Sequence, residues 1–257
     1  MKRPILLFWF ILLFLYSCQS KKGDGSFLPL TELQPLTLGM MPTLDGLPFH
    51  IAKTQGIYDS LGLNLTILSF NSANDRDAAF QTGKMDGMIT DYPSAVVLQA
   101  IHHADLGFVL KNDGYFCFIV SKESNINQLE QLKEKNIAVS RNTVIEYATA
   151  FSRRALNEKR KEIELLITGY NLGVDYIKMH PQKEWEQVLI EIGVPENLTG
   201  LIALPSYQKA KRPSAEGIDK AIQWLKENHR IPETYSEKNL IDTTYIPTVS
   251  TIIQYQP

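Results

Sequence analysis

MITDYPSAVVL, residues 88–98, changes its hydrophobic period in the middle. The run from Met85 to Thr90 has the length and apolar content of a buried strand. Pro93 to Ile101 then spaces its apolar residues as one face of a helix does. Between them, Thr90-Asp91-Tyr92-Pro93-Ser94 puts a hydroxyl, a carboxylate and an aromatic ring where a strand ends and a helix begins. Such a corner is either a plain helix cap or one wall of a ligand cleft.

The same unit recurs on both sides. Leu36–Met40 is a short strand, Pro42–Gly46 a loop, and Leu47–Gln55 a helix closed by Gly56. Leu63–Phe70 alternates as a strand does, and Asn71–Asn74 is a second loop. Asn74 reads as the N-cap of a helix over Asp75–Thr82, which Gly83 stops. Leu106–Leu110, Phe116–Val120 and Asn136–Ser140 read as further strands, and Thr143–Leu156 as a helix. From Ala155 to His180 no strand pattern occurs. Pro181–Ile192 and Ser214–Glu227 have helical spacing, the second with Ser214 as N-cap.

Strand, loop and helix repeated in this way predict a mostly parallel sheet with helices on its faces. Ligands bind such sheets beyond the carboxyl ends of the strands. Four corners fall there: Leu44 and Asp45; Ser72 and Asn74; Thr90, Asp91 and Tyr92; and Ser140, Asn142 and Thr143. Their short polar side chains and free helix N–H groups suit a polar or anionic ligand, and equally suit simple capping. Tyr92 would either stack on a planar ligand or pack into the core. Asp91 would repel a sulfonate, whereas Arg141 would favour an anion, so the charge of the ligand stays open.

The front of the chain has its own logic. Lys2 and Arg3 precede an uncharged run, Ile5 to Tyr16, too short to span a bilayer. Ser17-Cys18 follows, as at the lipidation site of a bacterial lipoprotein. Residues 1–17 are therefore expected to be a signal peptide and Cys18 the lipid-carrying residue. Residues 18–35 then form a tether. The net charge of −2 and the lack of a basic stripe argue against nucleic acid. Cys117, in an apolar run, would be a buried inert thiol. Five scattered histidines show no metal-ligand spacing, and no phosphate-binding or nucleophile-elbow motif is present, so no metal, cofactor or catalytic residue is expected.

These residues carry a resemblance. MPTLDGLPFHIAKTQGIYDSLGLNLTI resembles the opening of solute-binding lipoproteins of the sulfonate/nitrate/thiamine-precursor type, with Pro48, Ile51-Ala52, Gly56-Ile57-Tyr58 and Gly62-Leu63 in order. SANDRDAAFQTGKMDGMITD is similar to the next segment, including a Gly-x-x-Asp step at Gly83 and Asp86. NIAVSRNTVIEYA resembles the start of that family's second lobe, and YNLGVDYIKMHP its late helix. The resemblance implies an α/β fold of the type II periplasmic-binding kind. It also implies a small polar or anionic organic solute (a sulfonate or a thiamine-pyrimidine-like compound), an ABC permease as partner, no enzymatic activity, and a lipid anchor facing the periplasm. Part of lobe two is missing by comparison. The expected layout is lobe one over 36–120, a reduced, mostly helical lobe two over 121–180, and C-terminal helices over 181–257 packing on lobe one. The alternative is a non-binding remnant or envelope interaction lipoprotein. An enzyme of the pyrimidine-synthase kind is disfavoured, because Cys117 does not reproduce that group's cysteine-rich run.

Overall fold

Residues 32–114, 120–136, 146–237 and 240–246 are described by the structure, a computed structural model. The chain divides into two units, Met1–Glu32 and Leu33–Pro257, and every described strand and helix lies in the second. Five strands form one sheet: β1 Leu36–Met40, β2 Leu65–Ser69, β3 Gly87–Asp91, β4 Leu106–Asn112 and β5 Tyr147–Ser152, in the order β2-β1-β3-β5-β4. β1 pairs in parallel with β2 and β3, while β5 runs antiparallel between β3 and β4. The helices are α1 Leu47–Thr54, α2 Ile57–Ser60, α3 Ala73–Gln81, α4 Tyr92–His102, α5 Arg153–Glu158, α6 Arg160–Met179, α7 Glu186–Glu191 and α8 Ala215–Glu227.

The sheet is covered on both faces, as parallel sheets are. On one face Leu36, Leu38, Ile89, Val109 and Phe151 pack against Phe49 and Ile51 of α1, Ile163 and Leu166 of α6, and Leu189 of α7. On the other, Met88, Phe108, Ala148 and Ala150 meet Phe80 of α3, Val96 of α4, and Ile218 and Leu225 of α8. Met88 and Ile89, like Ala150 and Phe151, go to opposite faces because side chains alternate along a strand. The edge of β4 is shielded by single bridges from Lys211 and Ile241, which limits open-edge pairing. Among the described residues no helix is long and apolar enough to cross a membrane.

Most of the expected elements form, with boundaries shifted by a few residues. One expectation is overturned: Thr143–Leu156 is not one helix. Tyr147–Ser152 is a strand, and only Arg153–Glu158 is helical. Its sequence, YATAFS, mixes helix-compatible alanines with strand-favouring Tyr, Thr and Phe. Pairing on both sides decides the conformation, and the small Ala148 and Ala150 fit closely under the helices of one face. The N-cap of α3 is Ser72, whose hydroxyl accepts the Asp75 N–H at 3.1 Å, and Asn74 lies within the helix. Pro181–Ile192 splits into a 3₁₀ turn, Gln182–Glu184, and α7. Residues 115–119 and 137–145, which include Cys117 and most of the expected strands Phe116–Val120 and Asn136–Ser140, lie outside the described residues.

The Gly-x-x-Asp step has a structural reason. Gly83, at φ +71°, leaves the helix in a left-handed conformation. Asp86 then accepts the Thr37 N–H at 2.8 Å and pairs with Lys159 at 2.8 Å. One buried carboxylate therefore ties the start of β1 to the end of α5. Another close fit occurs where α6 crosses α1 and α2. A Cβ at Gly169 would lie 2.1 Å from the Tyr58 ring, and one at Gly173 would lie 2.2 Å from the Pro48 carbonyl oxygen.

His50 of α1 is mostly buried, and burial lowers its pKa to about 4. The unfolded chain takes up that proton near pH 6.5, whereas the folded chain resists it. Stability contributed by neutral His50 is therefore complete above pH ~6.5 and lost as pH falls towards about 4, by up to about 3 kcal/mol. Buried Asp45 and half-buried Asp77 and Asp91 have pKa values raised by burial and pull the other way in acid, because protonating them favours the folded state. The difference between the protein and His50→Gln isolates the histidine. Urea unfolding at pH 7 and pH 4.5 is expected to show a smaller acid loss in the variant; equal losses would assign the acid sensitivity elsewhere.

Candidate functional site

The carboxyl ends of β1 and β4 and the start of β5 meet at one end of the sheet, where a cleft of about 490 Å³ opens. Pro42, Thr43, Leu44 and Asp45 line one side, Gly114 and Tyr147 the floor, and Ile192, Gly193, Val194 and Ile202 the other side. Of the first group, Leu44 and Asp45 belong to the 3₁₀ turn Leu44–Gly46 that leads into α1, with Thr43 at its N-cap. The last comes from the chain after α7. The volume suits a small organic molecule.

The turn is held by two side chains from distant elements. Tyr207 donates its hydroxyl to the Leu44 carbonyl at 2.7 Å, and the Asn112 amide donates to the Asp45 carbonyl at 3.3 Å. Asn112 is in turn fixed by Thr149, whose hydroxyl donates to its Oδ1 at 2.8 Å. Asn112 and Thr149 are buried, so this network loses little to water. It fixes the backbone from which the Asp45 side chain projects. Asp45 is only 5 % exposed. Burial raises its pKa, and a hydrogen bond with Thr43 and one with its own backbone partly offset the rise. Burial and the charges of Asp45 and Asp91 push the Tyr147 phenol up to about 12, so it stays protonated.

A polar centre lies behind the cleft. Arg76 of α3 is 2 % exposed and donates to the Ile89 carbonyl at 3.1 Å, to Thr90 Oγ1 at 2.9 Å and to Asp77 Oδ1 at 2.7 Å. Its charge also acts on Asp45, Asp91 and Tyr147.

The predicted corners separate by position. Leu44 and Asp45 line the cleft. Thr90 is wholly buried, with its hydroxyl on Arg76. Asp91 caps α4, accepting from the Ser94 N–H and the Ser94 hydroxyl, both at 2.8 Å. Tyr92 is wholly buried, its ring edge-on to Phe108 at 5.3 Å and its hydroxyl accepting the Ser214 N–H. Ser72 and Asn74, at the start of α3, are not among the cleft's lining residues. Ser140, Asn142 and Thr143 lie outside the described residues.

Tyr147, Gly114 and the wall formed by residues 192–194 and 202 carry no local signal in the sequence. Arg76 did leave one. It shares a helix face with Ala79 and Phe80, three and four residues on, so a cation occupies a core-facing position.

Residues 30–155 match the NMT1-like family. No curated protein matches the chain in sequence. Among solved structures, the ligand-binding component of an ABC-type import system from Staphylococcus aureus with zinc bound superposes with TM-score 0.57 at 12 % identity, covering 82 % of this chain and 97 % of that one. The periplasmic aliphatic sulphonate binding protein of Escherichia coli gives 0.56 at 12 % identity, covering 81 % and 92 %. The periplasmic nitrate-binding protein of Synechocystis PCC 6803 gives 0.51 at 13 % identity, covering 86 % and 84 %. Residues 30–155 are thus similar to the NMT1-like family, and the fold is that of the periplasmic solute-binding proteins.

Proposed function

We propose that the chain is the solute-binding component of an ABC importer, held to the membrane through lipid on Cys18 and facing the periplasm. It captures a small organic solute and performs no chemistry on it. The carrying observation is the cleft at the carboxyl end of the sheet, lined by Leu44, Asp45 and Tyr147 and backed by a fixed turn. Leu44 and Asp45 contact the solute. Thr90 acts behind them by holding Arg76. The second lobe is read within residues 121–146, because the rest of the expected span 121–180 supplies β5, α5 and α6, which belong to the main sheet and its core. Its described part holds two 3₁₀ turns, Lys122–Ser124 and Leu129–Leu132.

A second reading has an observation in its favour. The described part of the 34-residue connection between β4 and β5 holds only two 3₁₀ turns, and this supports a remnant that no longer binds solute as the second reading. Thermal unfolding with a panel of sulfonates, oxyanions, pyrimidines, amines and amino acids separates the two. A binder at ~100 times its dissociation constant adds about 2.7 kcal/mol, a readable shift. A cooperative transition that no compound moves, over a panel this broad, would favour the remnant.

A further inference from the structure

Building on the solute-binding reading, we infer that the cleft selects an organic cation, an amine, amidine or guanidine carried on an apolar body, with the Asp45 carboxylate receiving the charged nitrogen. Asp45 is nearly fully buried and lines the cleft, yet among the described residues no Lys, Arg or His lies within ion-pair distance of it. Its carboxylate caps no helix; it hydrogen-bonds with Thr43 and feels the Arg76 charge without forming an ion pair. The following helix has Gly46 at its N-cap and makes no side-chain cap bond there.

The neighbouring charges are already committed. Asp91 is spent on Ser94, Asp77 on Arg76, and Glu146 on Lys111 at 3.3 Å. Arg76, the buried cation behind the turn, gives its N–H groups to Ile89, Thr90 and Asp77. Among the described residues the cleft is left with one carboxylate. Around it stand Leu44, Ile192, Val194 and Ile202.

A buried carboxylate without a cationic partner is costly, and a ligand that supplies the partner recovers that cost as affinity. An anion in the same place would meet it as a repulsion. The pegs from Tyr207 and Asn112 fix the turn in advance, so little ordering is left to the binding step. Because burial raises the Asp45 pKa, cation binding is expected to weaken as the medium is acidified.

Isosteric probes test this on the purified full chain by titration calorimetry at neutral pH: benzylamine and benzamidine against benzoate and benzenesulfonate. The cations are expected to bind at least tenfold more tightly than the anions. Asp45→Asn is expected to lose at least thirtyfold of that affinity while melting no lower than the parent, since it removes a buried unpaired charge and keeps the shape. If the anions bind better, or if Asp45→Asn leaves cation affinity unchanged, the inference is overturned and the solute-binding reading stands. It also fails alone if no cation binds but a sulfonate or oxyanion of the wider panel does. If nothing in either set binds, both fall together.

Discussion

Arg76→Met is expected to lower the unfolding free energy by about 3–5 kcal/mol, the cost of breaking a buried charge pair from one side. Methionine keeps the length and the apolar stem of the side chain. It leaves the Ile89 carbonyl, the Thr90 hydroxyl and Asp77 without their donor. Ile89 and Thr90 have almost no access to water, so their lost bonds are not replaced by solvent. The Asp77 side chain is 18 % exposed and recovers some hydration, which favours the lower half of the range. Lysine at the same position retains the charge but lacks the planar fork needed to serve three acceptors, so an intermediate loss is expected. Asp77→Asn added to Arg76→Met is expected to restore part of the stability, because it removes the stranded carboxylate. Urea denaturation suits the measurement, since it does not screen charge. A midpoint for Arg76→Met matching the parent would mean that this polar centre contributes nothing to the fold.

Gly173→Ala is the second large effect. The added methyl would lie 2.2 Å from the Pro48 carbonyl oxygen and 3.3 Å from the Ala52 Cβ. The first of these belongs to the backbone and cannot rotate away. Alanine in a helix interior gains about 1 kcal/mol over glycine, and overpacking a tight contact costs about 1–3 kcal/mol or more. Here the cost is expected to win by at least 2 kcal/mol, because relief requires α6 to move off α1. That movement also disturbs the tilted Phe49–Tyr170 contact at 4.9 Å. Gly200→Ala is the matched control, with nothing within 4 Å of its added methyl. Equal midpoints for the two variants in urea would show that the α1–α6 crossing is looser than its geometry implies.

The sequence made much of this fold legible, for identifiable reasons. β1 to β4 carry apolar runs of strand length closed by glycine or by capping residues, and the helices after β1, β2 and β3 begin near polar caps. β5 was lost because Tyr147–Ser152 has no alternation and two alanines, so its strand state comes from neighbours that appear far away in the sequence. The candidate cleft was half legible. Leu44 and Asp45 sit in a corner that the strand–loop–helix pattern points to, and the cleft is there. Asp91 looks as inviting in sequence, yet its carboxylate is consumed by Ser94 three residues on. Nothing local distinguishes an aspartate that caps from one that does not. The opposite wall, Ile192 to Val194 and Ile202, reads only as a helix ending at a glycine, and its place over the cleft is set by how α6 and α7 pack.

The position of β5 also orders events in time. It is fourth in space but last of the described strands to be synthesised. Until Tyr147–Ser152 has emerged, β3 and β4 have no partner for their facing edges, because they are never adjacent to each other. The first three strands can assemble from contacts close in sequence. β4, apolar along most of its length, must wait. A growing chain therefore carries its half-built sheet open at the centre, where unpaired edges are most exposed to wrong partners. One six-residue segment then closes both sides at once. Such a chain cannot complete its sheet for as long as that segment is withheld.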